Sequence, residues 1–151
     1  MAKLLQRNVR GLQANREELS LLLSSVKPTI IALQETNIGK SHNINFRNYH
    51  FYNTPGTENN GIYPGGSALI VDKATPHNLI ALRTNLQATA VRVTVFKTIT
   101  VCSIFLLHRN GISKTWRTCI DNSPPQHLCS GILMHIVRHG AVETQMPKAE
   151  A

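Results

Sequence analysis

"PTIIALQETN", Pro28–Asn37, decides how this chain folds. Thr29 to Gln34 is an almost unbroken apolar run between a proline and a polar turn, the pattern of a strand covered on both faces. Upstream, Asn15-Arg16-Glu17-Glu18 opens a helix whose apolar residues, Leu19, Leu22, Leu23 and Val26, recur at helical spacing. Pro28 stops that helix, and Lys3 to Asn8 reads as a short strand, so residues 3–35 form a strand, helix, strand unit. Downstream, strands are expected at Tyr49–Asn53, Ser67–Asp72, His77–Ala81, Ala88–Val95 and Thr98–Phe105, punctuated by "TPGTENNG" and "YPGG". One helix among many strands predicts a mixed α/β sandwich. Glu35 then falls where a buried strand meets its loop, at the carboxyl edge of a sheet, where open α/β sheets hold their ligands.

Beyond Phe105 the pattern changes. "LLHRNGISKTWRTCIDNSPPQHLC", residues 106–129, has no sustained period and carries a Pro124-Pro125 pair. It leads into "SGILMHIVRHGAVETQMPKAEA", expected as a short helix and a polar tail. The organisation expected is therefore one folded portion over residues 1–106 and an irregular tail over 107–151, without repeats or low-complexity tracts.

With 151 residues, 42% of them apolar, the chain can bury one ordinary core. Lys and Arg total 16 against 8 Asp and Glu, a net charge of +8 that attracts polyanions in a salt-dependent way and makes nucleic acid the first partner to consider. The three cysteines, Cys102, Cys119 and Cys129, have neither the number nor the spacing of a disulfide framework. No run of about 18 apolar residues occurs, and the apolar run after Met1 is only Leu4-Leu5, too short for a signal peptide. The expectation is an intracellular protein, nuclear or cytoplasmic.

Taken together, "RNVRGLQANREEL", "PTIIALQETN" and "YPGGSALIVDK" resemble the endonuclease/exonuclease/phosphatase superfamily, specifically the apurinic-endonuclease-like domain of jockey-type non-LTR retrotransposons, from about Leu4 to Phe105. The resemblance implies an incomplete two-sheet α/β sandwich of that type and a Mg²⁺-dependent phosphodiester nick in DNA. It also implies that Asn8 orients the scissile phosphate and supports the metal site, and that Glu35 binds the metal. Gly65 and Gly66 of "GGSALIV" serve turn geometry and close packing. Mg²⁺ takes hard oxygen ligands and polarises a phosphoryl oxygen, so one carboxylate supplies half a reaction; an in-line water must also lose a proton. Arg10 and Lys40, with Arg7 and Arg16, are candidate contacts to a DNA backbone.

The chain departs from the family where that second half resides. Phe105 stands in place of a tyrosine, no "GDFNAH"-like turn occurs, and the only aspartate after Asp72 is Asp121, in "CIDNSPP", which takes no role. The genetic code offers a route to the missing turn. Joining the third base of each codon in "SGILMHIV", Ser130–Val137, to the first two of the next permits triplets for Gly-Asp-Phe-Asn-Ala-His. The same offset through "VRHGAVETQMPK" permits Ser-Thr-Pro-Trp-Gly-Cys-Arg-Asp-Thr-Asn-Ala-Lys. The tail is accordingly expected to be an out-of-frame product of a decayed element, which the underlying DNA sequence tests.

Two other signals compete. "IVRHGAVE", Ile136–Glu143, looks like the phosphate-binding tripeptide of histidine phosphatases, with His139 as nucleophile and Arg138 as clamp, but only Gly140–Ala151 follow it. His135 and His139 would share one face of a helix, yet Ile136 stands where a metalloprotease has its glutamate, and Cys119 and Cys129 lack finger spacing. His108 and His127 read as solvated. Loss of much of the second sheet is expected to leave Val91, Val93, Val95, Val101 and Ile104 short of cover, with marginal stability as the consequence. Three function classes therefore stand: an impaired Mg²⁺-dependent endonuclease domain, a non-catalytic basic remnant that holds nucleic acid by charge, and a histidine phosphatase.

Overall fold

The computed structural model describes residues 2–105, together with the backbone of two strands at 133–138 and 141–143. Strand β1 (Leu4–Asn8) leads into helix α1 (Arg16–Val26) and strand β2 (Ile30–Gln34). The crossover lays β1 parallel to β2, with Asn8 opposite Gln34. Strands β3 (Tyr49–Thr54) and β4 (Ser67–Asp72) follow, and the first sheet has the order β1-β2-β4-β3. Strands β5 (His77–Ile80), β6 (Gln87–Thr94) and β7 (Thr98–Phe105) form the second sheet with β8 (Leu133–Arg138) and β9 (Ala141–Glu143), in chain order and antiparallel throughout. The chain is a mixed α/β protein with two sheets and, among the described residues, one helix.

All five residues of β2 are buried, and its alternation shows why. Ile31 and Leu33 face the helix side with Leu19, Leu23, Ile70 and Phe46. Ile30 and Ala32 face the second sheet and meet Leu69, Val71, Val91, Val93 and Val101. Period-two alternation thus gives one strand two apolar neighbours, helix above and sheet below.

Helix α1 carries Glu17 and Glu18 in its first turn, where acids favour the helix dipole. Asn15 does not cap it through its side chain. That amide donates instead to the carbonyls of Val9 (2.8 Å) and Gly11 (3.0 Å), tying the helix entrance to the end of β1. Lys27 closes the helix in the left-handed conformation, its N–H donating to Leu23 O, just before Pro28.

Two expectations change. Val91, Val93, Val101 and Ile104 are buried, the first three because β2 and β4 cover them; Val95 is half-buried. The marginal stability inferred from their missing cover loses that support. In the tail, Leu133–Arg138 is a strand, paired antiparallel to β7, where a short helix was expected. An apolar run of that length satisfies either period, and pairing to the open side of β7 selects the extended form.

Candidate functional site

At the carboxyl end of β2 the backbone turns through Glu35 (φ 54°) and Asn37 (φ 52°), both in the left-handed region that non-glycine residues seldom occupy. Neighbours on each side hold the turn. Glu35 N–H donates to Gly66 O (3.0 Å) and Asn37 N–H to Gly65 O (2.9 Å), while Glu35 O and Thr36 O accept from Gly11 N–H (2.8 Å) and Leu12 N–H (2.9 Å). Such strain costs on the order of 1–3 kcal/mol per residue and persists where surrounding bonds over-determine it.

The turn aims Glu35 at β1. Asn8 Nδ2 donates to Glu35 Oε1 at 2.8 Å, and Asn8 Oδ1 accepts from the backbone N–H of Arg10 at 3.1 Å. Two residues separated by the whole crossover are thereby joined, because the parallel register ends both strands at one rim. Glu35 is half-buried and Asn8 exposed, so the corner opens to solvent. Among the described residues Asn8 is the one side chain bonded to this carboxylate.

Gly65 (φ 84°) and Gly66 (φ 90°) form the facing wall. Gly65 N–H donates to Asn37 Oδ1 (2.8 Å) and Gly66 N–H to Gln87 Oε1 (2.7 Å). A Cβ at Gly65 would lie 2.5 Å from Phe105 Cε1 and 2.6 Å from Gln87 Oε1, which puts the Phe105 ring on the same rim. It offers a face but no hydroxyl.

Beneath this rim the space between the sheets is polar. Gln34 Nε2 donates to Ser103 Oγ (2.9 Å), which donates to Leu33 O (2.9 Å). Thr89 Oγ1 lies 3.1 Å from Ser67 Oγ and 2.8 Å from Thr54 Oγ1. These bonds, buried except for the partly buried Thr54–Thr89 pair, tie the two sheets together below Glu35.

The other candidate residues are dispersed. Arg10 is exposed beside the corner, and its left-handed backbone (φ 47°) brings its N–H to Asn8. Lys40 is exposed in the loop after β2. Arg7 pairs with Glu18 on α1, and Arg16 donates to Asn45 O (3.1 Å), so both guanidinium groups are engaged within the protein. Arg138 ends β8 and His135 lies within it, so the helical spacing of His135 and His139 does not arise; His139, His108, His127, Cys119, Cys129 and Asp121 lie outside the described residues.

As a donor set, the corner suits a hard cation held weakly. The carboxylate keeps an oxygen free of Asn8, as Mg²⁺ coordination requires. Asn8 presents its amide N–H to Glu35 and its oxygen to Arg10, so in this arrangement it positions the carboxylate. No cluster of three or more His, Cys, Asp or Glu able to hold a metal occurs among the described residues. Gln34, Asn37, Gln87, Thr89 and Ser103 were not singled out in the sequence. A buried polar residue on an apolar strand, as in "IIALQ", was the one available signal.

No protein-family model matches the chain, and no curated protein matches it. No helix among the described residues is long and apolar enough to cross a membrane.

Proposed function

We propose that this chain is the N-terminal portion of a Mg²⁺-dependent DNA endonuclease domain of a non-LTR retrotransposon polyprotein, retaining the metal-and-phosphate corner and impaired in hydrolysis. One observation carries the reading: Asn8 and Glu35, distant in sequence, meet at 2.8 Å on the strand-end rim of a two-sheet α/β fold. The finer assignment of that fold to the endonuclease/exonuclease/phosphatase type belongs to the same proposal and rests on the sequence resemblance.

When bound, Mg²⁺ would polarise a phosphoryl oxygen and steady the leaving group. Glu35 would hold the cation through its free oxygen, and Asn8 would keep the carboxylate turned toward the rim. Arg10 stands ready to meet a phosphate by charge. Among the described residues no group at the rim is placed to deprotonate water: Phe105 has no hydroxyl, and the 151 residues contain no counterpart of the family's later Asp-Asn turn. Nicking of supercoiled DNA is therefore expected at background.

Binding tests the reading more sharply. Divalent cations compete for DNA phosphates and weaken attraction that rests on charge alone. A metal bridging Glu35 and a phosphate has the opposite sign. Fluorescence anisotropy of a labelled duplex should show tighter binding when Mg²⁺ is added at constant ionic strength, a gain lost in Glu35→Ala. Weakening by Mg²⁺ in both proteins would favour the alternative, a non-catalytic basic remnant that binds nucleic acid through its net charge of +8.

A further inference from the structure

The two sheets also meet at an edge remote from Glu35. Within β3, Tyr49 and Phe51 pack on the helix side, and alternation turns His50 and Tyr52 toward the second sheet. There they meet His77, the first residue of β5. The His50 and His77 ring centres lie 5.2 Å apart at an interplanar angle of 62°. Tyr52 Oη is 2.9 Å from His77 Nε2, and His77 Nδ1 is 2.7 Å from Thr75 O. The cluster sits at the opposite end of the sheet from the rim: His50 pairs with Val71, whereas Gln34, next to Glu35, pairs with Ser67.

A carbonyl oxygen only accepts, so Nδ1 of His77 carries the ring proton and Nε2 presents its lone pair to the Tyr52 hydroxyl. Metal-binding histidines are held this way, with the far nitrogen donating to a backbone carbonyl that fixes tautomer and ring orientation. Two imidazoles bound at about 2.1 Å to a tetrahedral cation place their ring centres roughly 5 Å apart. The Tyr52 hydroxyl lies 2.9 Å from His77 Nε2, so once a cation takes the lone pair the phenol can turn its proton away and offer oxygen.

We propose that His50 and His77 form a binding site for a borderline divalent cation of the Zn²⁺ class, with the Tyr52 hydroxyl and water completing its shell. The cation would join β3 of the first sheet to β5 of the second. Nitrogen donors distinguish this site from the oxygen corner at Glu35, which favours Mg²⁺. With two protein nitrogens it is weaker than the three- and four-ligand sites of zinc enzymes and fingers.

The test is a Zn²⁺ titration of the full chain against a chromophoric chelator, with Zn²⁺ as the only added metal. The chain holds 7 histidines, so the comparison between variants is the readout. His50→Asn and His77→Asn should each weaken one Zn²⁺ equivalent by about tenfold or more, while His42→Asn, at an exposed histidine outside the cluster, leaves it unchanged. His77→Asn also removes bonds to Tyr52 and Thr75; should it fail to fold, His50→Asn decides, since His50 is exposed and touches the cluster only through ring contacts. Unchanged Zn²⁺ affinity in His50→Asn would overturn the proposal, as would an equal loss in His42→Asn.

Discussion

Replacing Ser103 with alanine tests whether the polar seam beneath the rim is what fixes the two sheets there. Ser103 is fully buried and takes the N–H of Gln34, itself 1% exposed, at 2.9 Å. Ser103→Ala leaves that amide donor buried without an acceptor, a cost of about 1–3 kcal/mol. Gln34→Leu should cost less. It removes the whole carboxamide, including a buried Oε1 that has no partner among the described residues, and leaves Ser103 still donating to Leu33 O. The double variant, having no amide to strand, should recover about 1–2 kcal/mol relative to Ser103→Ala alone. In urea that is a midpoint difference of roughly 1 M, since chains of this size unfold with slopes of about 1–3 kcal/mol per M. The assay is urea unfolding of all four proteins followed by circular dichroism. Strict additivity of the two single changes would refute the reasoning, because it would mean that Gln34 and Ser103 do not depend on one another.

Gly65→Ala should destabilise the fold by about 2 kcal/mol or more, since it places a Cβ at positive φ and against Phe105 and Gln87; a variant with an unchanged thermal midpoint would contradict the close approach. The Tyr49 and Tyr52 phenols are raised above their ordinary value of 10.0, both by burial and Tyr49 also by the negative charge of Asp72. A raised acid stabilises the fold while it stays protonated, so stability should be fully present below the ordinary value and fall as pH climbs through the folded values. Urea midpoints across the alkaline range measure this, and a flat profile would exclude it.

Much of this architecture is written in local pattern. The run Ile30–Gln34 announces a strand buried on both faces, and the spacing of Leu19, Leu22, Leu23 and Val26 announces the helix that covers one of them. Strands Ser67–Asp72 and Thr98–Phe105 lie where alternation and turn residues put them. The cover over Val91, Val93 and Val101 is not local: it comes from β2 and β4 across the sandwich, and no window of sequence around those valines contains it. Leu133–Arg138 shows the same limit, since a short apolar run takes its form from the strand it pairs with. At the rim, the resemblance pointed to Asn8 and Glu35, and the parallel register of β1 and β2 explains why they touch. Glu35's left-handed turn, clamped by Gly11 and Gly66, depends on hydrogen bonds between segments that only the folded chain brings together.

The central claim, that Glu35 with Asn8 beside it still forms a Mg²⁺ corner, is tested most directly by following backbone amide signals in a Mg²⁺ titration monitored by nuclear magnetic resonance. The account predicts saturable shifts centred on residues 8–11 and 35–37 that vanish in Glu35→Ala while the rest of the spectrum is preserved. Shifts that gather instead around Asp72, or that survive the loss of the Glu35 carboxylate, would contradict it.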